Sequence, residues 1–420
     1  MPDPPPPARP AAVVTARHDP DHPKRPLPPV TLSAEPITPA IETLVELRAP
    51  TPTVVSLYWS VPEDPGQSKG ARSALHSLVK AVRDQAESGD RPHADRMSLR
   101  ADADRLLEME DLIPRLHGRT VAVFRSHQER FEEAVVLPGW VRDAVVVEST
   151  PYVRPLLAVL DEAHRYAVAL VDREHGQLYD FYLGELEASQ REEGRVLREP
   201  NFAHGDKEYG VHKKAEELAK RHYRQVAARL EDFVRDGNIE LIVVGGHEVD
   251  VPAFLDLVPP HLRAMVVGTF VADLQTLSPG RAREMAQEVI DAYERSEEAQ
   301  LVAEASERAG AGGLGAIGLE PCLLATNEKA VEHLLVQPDV SVPGRACDNC
   351  GWLGLEGDEC PLDGHPTRAV PDVIDEMASR VFDSSGHVEH VYADTELRDQ
   401  PVAALLRFPL PSDLGPSGPQ

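Results

Sequence analysis

The chain alternates between two hydrophobic periods, and the places where the period changes mark its elements. Val54-Val-Ser-Leu-Tyr-Trp-Ser-Val61 reads as a strand, cut off by Pro62-Glu-Asp-Pro-Gly66. Ala71, Ala74, Leu75, Leu78 and Val82 then recur at three- and four-residue steps, the apolar stripe of a helix. Two short runs rich in β-branched residues, Thr120–Phe124 and Phe131–Leu137, read as the strands of a hairpin. Between helix and hairpin, Gly89–Ala103 is polar, with Arg91, His93, Arg96 and Arg100, and reads as a surface loop. Together these pieces predict an N-terminal α+β domain over residues 46–148.

The pattern of a second domain covers residues 149–298. A helix through Leu156, Leu157, Leu160 and Ala163 leads into the strand Tyr166–Val171. The turn Asp172-Arg-Glu-His-Gly176 joins that strand to another, Gln177–Leu183. An acidic stretch, Glu185–Glu193, and a polar loop through Asn201-Phe-Ala-His-Gly205 come next. They precede a long helix, His212–Arg235, which Gly237 ends. The buried-looking strand Ile239–Val244 follows. Antiparallel strands, a helix and then a buried strand predict a ribonuclease-H-like sheet. After the helix Arg281–Glu298 and a Gly-rich hinge, Ala309–Gly315, an α/β C-terminal domain is expected over 299–410. Its expected pieces are a helix at Asn327–His333, strands at Leu334–Val336, His390–Tyr392 and Ala403–Phe408, and a helix at Asp372–Val381. The hydrophobic pattern repeats nowhere along the chain.

Composition adjusts this picture at the ends. Residues 1–45 are rich in Pro and poor in apolar side chains, so disorder is expected there and again over 411–420. Apolar runs such as the one centred on Leu241-Ile-Val-Val244 are strand-length, too short to cross a bilayer. Met1-Pro-Asp-Pro-Pro-Pro-Pro7 has no apolar core of a secretory signal, and a cytoplasmic location is expected. The net charge of −27 argues against broad nucleic-acid affinity, because phosphate binding is driven by Lys and Arg. Contact with RNA then requires cations concentrated in one place. His212, Lys213 and Lys214, followed by Lys220, Arg221 and Arg224, supply that concentration: five Lys and Arg stand against Glu216 and Glu217, a local charge of +3. The competing reading is a solvated helix face neutralised by i,i+4 pairs such as Glu216–Lys220.

Three of the four cysteines crowd near the C-terminus, which in a reducing compartment points to metal. Cys347-Asp-Asn-Cys350 is followed by Cys360-Pro-Leu-Asp363-Gly-His365. In a zinc ribbon each pair sits on a tight turn, so that its ligands converge on one tetrahedral ion. Here Asp363 stands where the pattern expects a fourth Cys, so Asp363 or His365 would complete the set around a structural zinc. The expected zinc-ribbon-like insert spans 343–368. A degenerate ribbon without metal is the alternative. Cys322 lies in an apolar stretch and reads as core.

The order of pieces resembles the archaeal and eukaryotic class-one release-factor and pelota superfamily, and more closely its bacterial members, hibernation factors among them. Pro151-Tyr-Val-Arg-Pro-Leu-Leu157 with the following hairpin resembles the start of that family's central domain. Asn327-Glu-Lys-Ala-Val-Glu-His-Leu-Leu-Val336 resembles the helix and strand at the start of its C-terminal domain. Val402-Ala-Ala-Leu-Leu-Arg-Phe408 resembles that domain's last strand. The resemblance spans roughly residues 50–410 and implies a tRNA-shaped, three-domain factor entering the ribosomal A site, with rRNA and a translational GTPase as partners and neither membrane nor DNA. Family members that release peptide carry Gly-Gly-Gln in a central loop. The equivalent loop here holds His204, Gly205, Asp206 and Lys207, with no Gly-Gly pair and no Gln between Arg195 and Val211. An Asn-Ile-Lys-Ser stop-codon loop is absent as well, and the polar segment Gly89–Ala103 is either a contact with the decoding centre that reads no codon or a plain surface loop. The expectation is therefore a factor of hibernation, stress or quality control that neither reads stop codons nor hydrolyses peptidyl-tRNA. A release enzyme with an atypical loop using His204 as base and an acidic protein adaptor are the alternatives. Asp172 and Glu240 alone do not make a two-metal nuclease, and no phosphate-binding loop or nucleophile elbow is present.

Overall fold

The computed structural model describes residues 37–88, 91–138, 141–194, 208–311 and 313–410. These fall into two compact units. One holds the chain up to Leu160 with Arg308–Glu389 and the residues from Val402 on; the other holds Asp161–Glu307 with His390–Pro401. The N- and C-terminal segments, expected as separate domains, thus contribute to the same unit. No described helix is long and apolar enough to cross a membrane.

In the first unit, α1 (Ile37–Glu46) falls inside the stretch expected to be disordered. Ile37, Ala40, Ile41 and Leu44 form a buried stripe on it, a helical pattern that the surrounding prolines conceal. Strand β1 (Val54–Val61) is buried on both faces. Its odd-numbered residues Val55, Leu57, Trp59 and Val61 pack against α2 (Ser68–Glu87) and α3 (His93–Leu107). Trp59 Nε1 donates to the Ala71 carbonyl at 2.8 Å. On the other face Tyr58 meets Phe124 edge-on. With β2 (Arg119–Ser126), β3 (Phe131–Pro138) and β4 (Ala144–Glu148) the sheet order is β3-β2-β1-β4, and the expected hairpin is the β2–β3 pair. The segment read as a loop over Gly89–Ala103 is instead largely α3. Its buried stripe of Asp95, Ser98, Leu99, Asp102, Ala103 and Leu106 is half polar, so hydrophobic periodicity does not reveal it.

Helix α4 (Arg154–Asp161) leads into the second unit, whose five-stranded sheet has the order β7-β6-β5-β8-β9. Strands β5 (Arg165–Val171), β6 (His175–Tyr182) and β7 (Glu185–Glu193) are antiparallel neighbours. The acidic stretch Glu185–Glu193, to which the sequence pattern assigns no element, is therefore an edge strand. Almost all of its residues are exposed, so no in–out alternation betrays it. Two parallel strands complete the sheet, β8 (Leu241–Gly246) after α5 (Glu208–Gly237) and β9 (Val266–Val271) after the short helices α6 (Asp250–Leu255) and α7 (Pro260–Arg263). Alternation along β5 divides two cores. Ala167, Ala169 and Val171 face α5, whereas Tyr166, Val168 and Leu170 face Ala282, Ala286 and Ile290 of α8 (Pro279–Ala311).

The C-terminal elements return to the first unit: β10 (Gly315–Ile317), α9 (Leu319–Asn327), β11 (Val331–Val336), α10 (Val373–Asp383), β15 (His387–His390) and β16 (Val402–Leu406). Their sheet runs β10-β16-β11-β15. The helix expected at Asn327–His333 lies one element earlier, as α9, and ends at Asn327. Lys329 with φ of 56° turns the chain into β11. Beyond His390 the expected strand does not continue, because Glu298 Oε2 takes the amides of Tyr392 and Ala393 at 2.8 and 2.7 Å. Between β11 and α10 lies a small three-stranded sheet of β12 (Gly344–Ala346), β13 (Leu353–Gly354) and β14 (Arg368–Val370). Both amide groups of an Asn–backbone pair fasten it to α9: Asn327 Nδ2 donates to Leu353 O and Leu353 N donates to Asn327 Oδ1, each at 2.8 Å.

Candidate nucleic-acid interface and metal centre

Helix α5 buries one stripe and exposes the opposite face. Ala219, Tyr223, Val226, Ala227 and Leu230 pack on the central sheet. Tyr223 donates its hydroxyl to Asp250 Oδ1 at 2.9 Å, which ties α5 to α6. Burial, reinforced by the Asp250 charge, pushes the Tyr223 hydroxyl well above the usual tyrosine range, so it stays a donor. Lys214, Lys220, Arg221 and Arg224 are exposed. Among the described residues none of these four forms an ion pair, and the neutralising Glu216–Lys220 pair is not made. Further along the same helix the cations are compensated: Arg229 lies 3.5 Å from Glu192 and Arg235 lies 2.6 Å from Asp232. The cations that form no ion pair among the described residues thus lie between Lys214 and Arg224, ahead of the compensated stretch of α5. His204, Gly205, Asp206 and Lys207, and the side chains of His212 and Lys213, lie outside the described residues.

The cysteine cluster is built from two copies of one turn. In the first, Cys347 N donates to Trp352 O at 2.8 Å and Gly351 N to Cys347 O at 2.9 Å. In the second, Cys360 N donates to His365 O at 2.8 Å and Gly364 N to Cys360 O at 2.9 Å. The glycine closing each turn has a positive φ, 86° at Gly351 and 73° at Gly364, a conformation that side chains disfavour. Asp363 therefore occupies in the second turn the place of Cys350 in the first. Its carboxyl stands 3.6 Å from Cys347 Sγ, and Cys350 Sγ stands 3.4 Å from Cys360 Sγ. One donor atom from each of the four residues lies within 4.8 Å of every other. A tetrahedral zinc with bonds of about 2.0–2.3 Å needs its ligands roughly 3.3–3.8 Å apart, the spacing of the Cys347–Asp363 and Cys350–Cys360 pairs, and the residue types suit the ion.

His365, weighed as a ligand, is not in this set. It corresponds to Trp352, and its backbone N–H donates to Asp363 Oδ1 at 3.0 Å while its ring remains exposed. Asn349 Nδ2, which spacing did not single out, holds the other carboxylate oxygen at 2.8 Å. These two donors, Asn349 first, keep the Asp363 carboxyl well below the usual carboxylate range, ionised as a metal ligand must be. Burial works against the Cys347 thiolate, yet the amides of Cys350 and Asn349 and the neighbouring thiols outweigh it and lower its pKa. Cys322 is fully buried on α9 and serves the core.

Residues 151–307 match the family model of bacterial archaeo-eukaryotic release factor family 10. That segment, less than half of the chain, is similar to the release-factor domains of this bacterial family. The match ends at Glu307, where the main stretch of the second unit ends. Among solved structures the chain is similar to Pelota of Archaeoglobus fulgidus, at 16% identity over 70% of this chain and 80% of that one, with a TM-score of 0.34. It is also similar to Dom34 of S. cerevisiae, a translation termination-like factor, at 12% identity over 71% and 82%, with a TM-score of 0.38. The archaeal termination factor aRF1 gives 15% identity over 90% and 99%, with a TM-score of 0.24. No curated protein matches. The basic face of α5 lies within the matched residues, whereas the metal-type cluster lies outside them.

Proposed function

We propose that this chain is a ribosome-binding factor that enters the A site in place of tRNA and acts in hibernation, stress or quality control of translation. The observation that carries the reading is the uncompensated basic face of α5, inside a release-factor domain of a chain with net charge −27. A focused positive patch on an acidic protein supports contact with one defined stretch of rRNA or tRNA phosphate rather than general nucleic-acid binding. The sheet order, three antiparallel strands followed by two parallel ones, supports a ribonuclease-H-like reading of the central domain. Without Gly-Gly-Gln the loop before α5 lacks the constellation for peptidyl-tRNA hydrolysis, so the factor occupies the site without releasing peptide. A translational GTPase is the delivery partner the family reading implies. The test is sedimentation of purified protein with intact ribosomes followed by cryo-electron microscopy of the pellet. Density in the A site with α5 on RNA is the expected result; absence from the ribosome pellet at low salt would falsify the proposal.

We infer as a second part of the reading that Cys347, Cys350, Cys360 and Asp363 hold one structural zinc. With all four positions filled by protein there is no open position for catalysis, so the ion would stabilise the fold of the insert. Metal analysis of freshly purified protein should find close to one zinc per chain; a metal-free chain with all three cysteines reduced contradicts this.

A further inference from the structure

The first cysteine turn continues into a line of charges that leads away from it. Asp348, the residue after Cys347, accepts a hydrogen bond from Arg368 Nε at 2.8 Å. Arg368 Nη2 donates to Glu376 Oε1 at 2.5 Å, and the same oxygen accepts from Thr150 Oγ1 at 2.9 Å. Thr150 belongs to the short segment between β4 and α4. Both members of the central pair are withdrawn from water, with side-chain exposures of 14% for Arg368 and 6% for Glu376. A buried carboxylate with one cation and one hydroxyl is fixed in place, because displacing either partner leaves charge uncompensated. The rest of the segment is pinned nearby: Tyr152 N donates to Ser56 Oγ at 2.9 Å and Arg154 N to Asp375 Oδ1 at 3.0 Å.

A second guanidinium backs the same turn. A Cβ at Gly351 would fall 2.2 Å from Arg380 Nη1, so the arginine lies directly against the backbone of the turn. Nε and Nη2 of Arg380 are buried without a hydrogen-bond partner among the described residues. Three thiolates and a carboxylate around a divalent cation leave about two negative charges in excess. Arg380, half-buried against the turn, is placed to offset part of that charge. Without an ion the thiols protonate and the turn loses the constraint that positions Asp348.

We propose that metal bound by Cys347, Cys350, Cys360 and Asp363 locks the segment Ser149–Arg154 through the relay Asp348–Arg368–Glu376–Thr150. The inference rests on the zinc reading above and adds a consequence to it: the state of the cluster sets how firmly the N-terminal sheet is tied to α10, at the point where the chain runs into the release-factor domain.

Hydrogen exchange on the full chain tests this, with zinc content measured on the same samples. Zinc-loaded protein is compared with protein stripped by a chelator. Stripping should speed exchange at the amides of Tyr152 and Arg154 by about tenfold or more, the loss expected when a charge-assisted hydrogen-bond relay opens. Amides of β5 and β8 should keep their protection, and added zinc should restore the slow rate. Asp348→Asn should bind as much zinc as the parent, yet exchange at the stripped rate with or without the ion. This variant decides the matter even where stripping unfolds the insert. Identical exchange in loaded and stripped protein, with zinc stoichiometric in the former, removes the relay and leaves the zinc site standing. A chain that binds no zinc at all removes the zinc reading and the relay with it.

Discussion

Reversing Lys220, Arg221 and Arg224 to glutamate isolates the basic face of α5 from everything else in the protein. All three are exposed and none forms an ion pair among the described residues, so the folded state loses no contact with them. Exposed helix charges of this kind change stability by only about 0.3–0.5 kcal/mol per pair, and the melting temperature should hardly move. Binding should respond very differently. Each phosphate neutralised by a protein cation contributes about 0.7–0.9 to the slope of log affinity against log salt. Three lost contacts flatten that slope by roughly 2–2.7, which between about 50 and 200 mM salt amounts to about 16- to 40-fold in affinity. The assay is binding of labelled protein to purified ribosomes across a salt series. Arg229→Glu is the internal control, since Arg229 already lies 3.5 Å from Glu192 and has less charge to offer RNA. A second control, Glu192→Lys with Glu193→Lys, should not weaken binding. If the triple variant keeps both the affinity and the salt slope of the parent, α5 is not the RNA contact, and an acidic surface recruiting protein partners becomes the better account.

Other consequences are open to simpler measurements. Asp363→Cys completes a four-thiolate set and should bind metal more tightly, with the absorption of the cobalt form shifting toward that of a four-sulfur site; an unchanged spectrum would mean that position 363 is not a ligand. Gly176→Ala places a Cβ 2.4 Å from Val226 Cγ2 and should destabilise the central sheet by about 1–3 kcal/mol, read as lost exchange protection in β5 and β6. Glu294 is pushed up to about 7 from an ordinary 4.5, first by burial and then by Glu162, with Asp291 and Asp161 adding to it. Its folded pKa lies above the unfolded one, so its favourable contribution is complete below about pH 4.5 and is lost as pH rises through about 7. Glu294→Gln should therefore stabilise the protein at pH 8 and flatten the fall in melting temperature between pH 5 and 8; an unchanged pH profile would show that this cluster is relaxed in solution. Addition of the chain to ribosomes carrying peptidyl-tRNA should not accelerate peptide release, and an acceleration abolished by His204→Ala would make the central loop an enzyme's.

How much of the fold the sequence discloses depends on which side chains each element buries. Strand β1 and helix α2 bury apolar residues at the period of their own geometry, and their positions follow from Val54–Val61 and from Ala71, Leu75 and Val82. Helix α3 buries Asp95, Ser98 and Asp102 in the stripe that another helix would fill with leucine. Two of those groups hold the β2–β3 turn, with Asp102 Oδ2 accepting from His127 N at 3.1 Å and Ser98 Oγ from Gln128 N at 3.0 Å. Polar residues employed in this way carry no periodic signal. Strand β7 fails in the opposite sense, since a strand exposed on both faces has no reason to alternate. Helix α1 is short, and prolines crowd the sequence before it.

The two candidate sites were legible to different depths for a related reason. A metal set is written in residue types at fixed spacing, because the ion demands particular donors on tight turns. The duplicated pattern Cys-x-x-Cys-Gly and Cys-x-x-Asp-Gly places Asp363 rather than His365 in the cluster once the turns are compared position by position. A basic face is written only as a charge balance, and its meaning depends on which carboxylates reach across to it. Glu216 and Glu217 are near Lys220 and Arg221 in sequence, yet among the described residues none of these is paired, whereas Arg229 and Arg235 are. The relay from Asp348 to Thr150 joins residues far apart in the chain, so spacing contains no trace of it. What sequence does supply there is the oddity of charged residues on a buried helix: Asp375 and Glu376 sit in the first turn of α10 among Val373, Ile374, Met377 and Ala378, all buried. Burial holds the Asp375 carboxyl well above its usual range, helped by Asp372 and Glu376, while burial of Glu376 is outweighed by Arg368 and Thr150, which keep its carboxyl low. Among the described residues Asp375 receives only the Arg154 backbone N–H within hydrogen-bond distance, whereas Glu376 holds the guanidinium of Arg368, itself bound to the cysteine turn through Asp348.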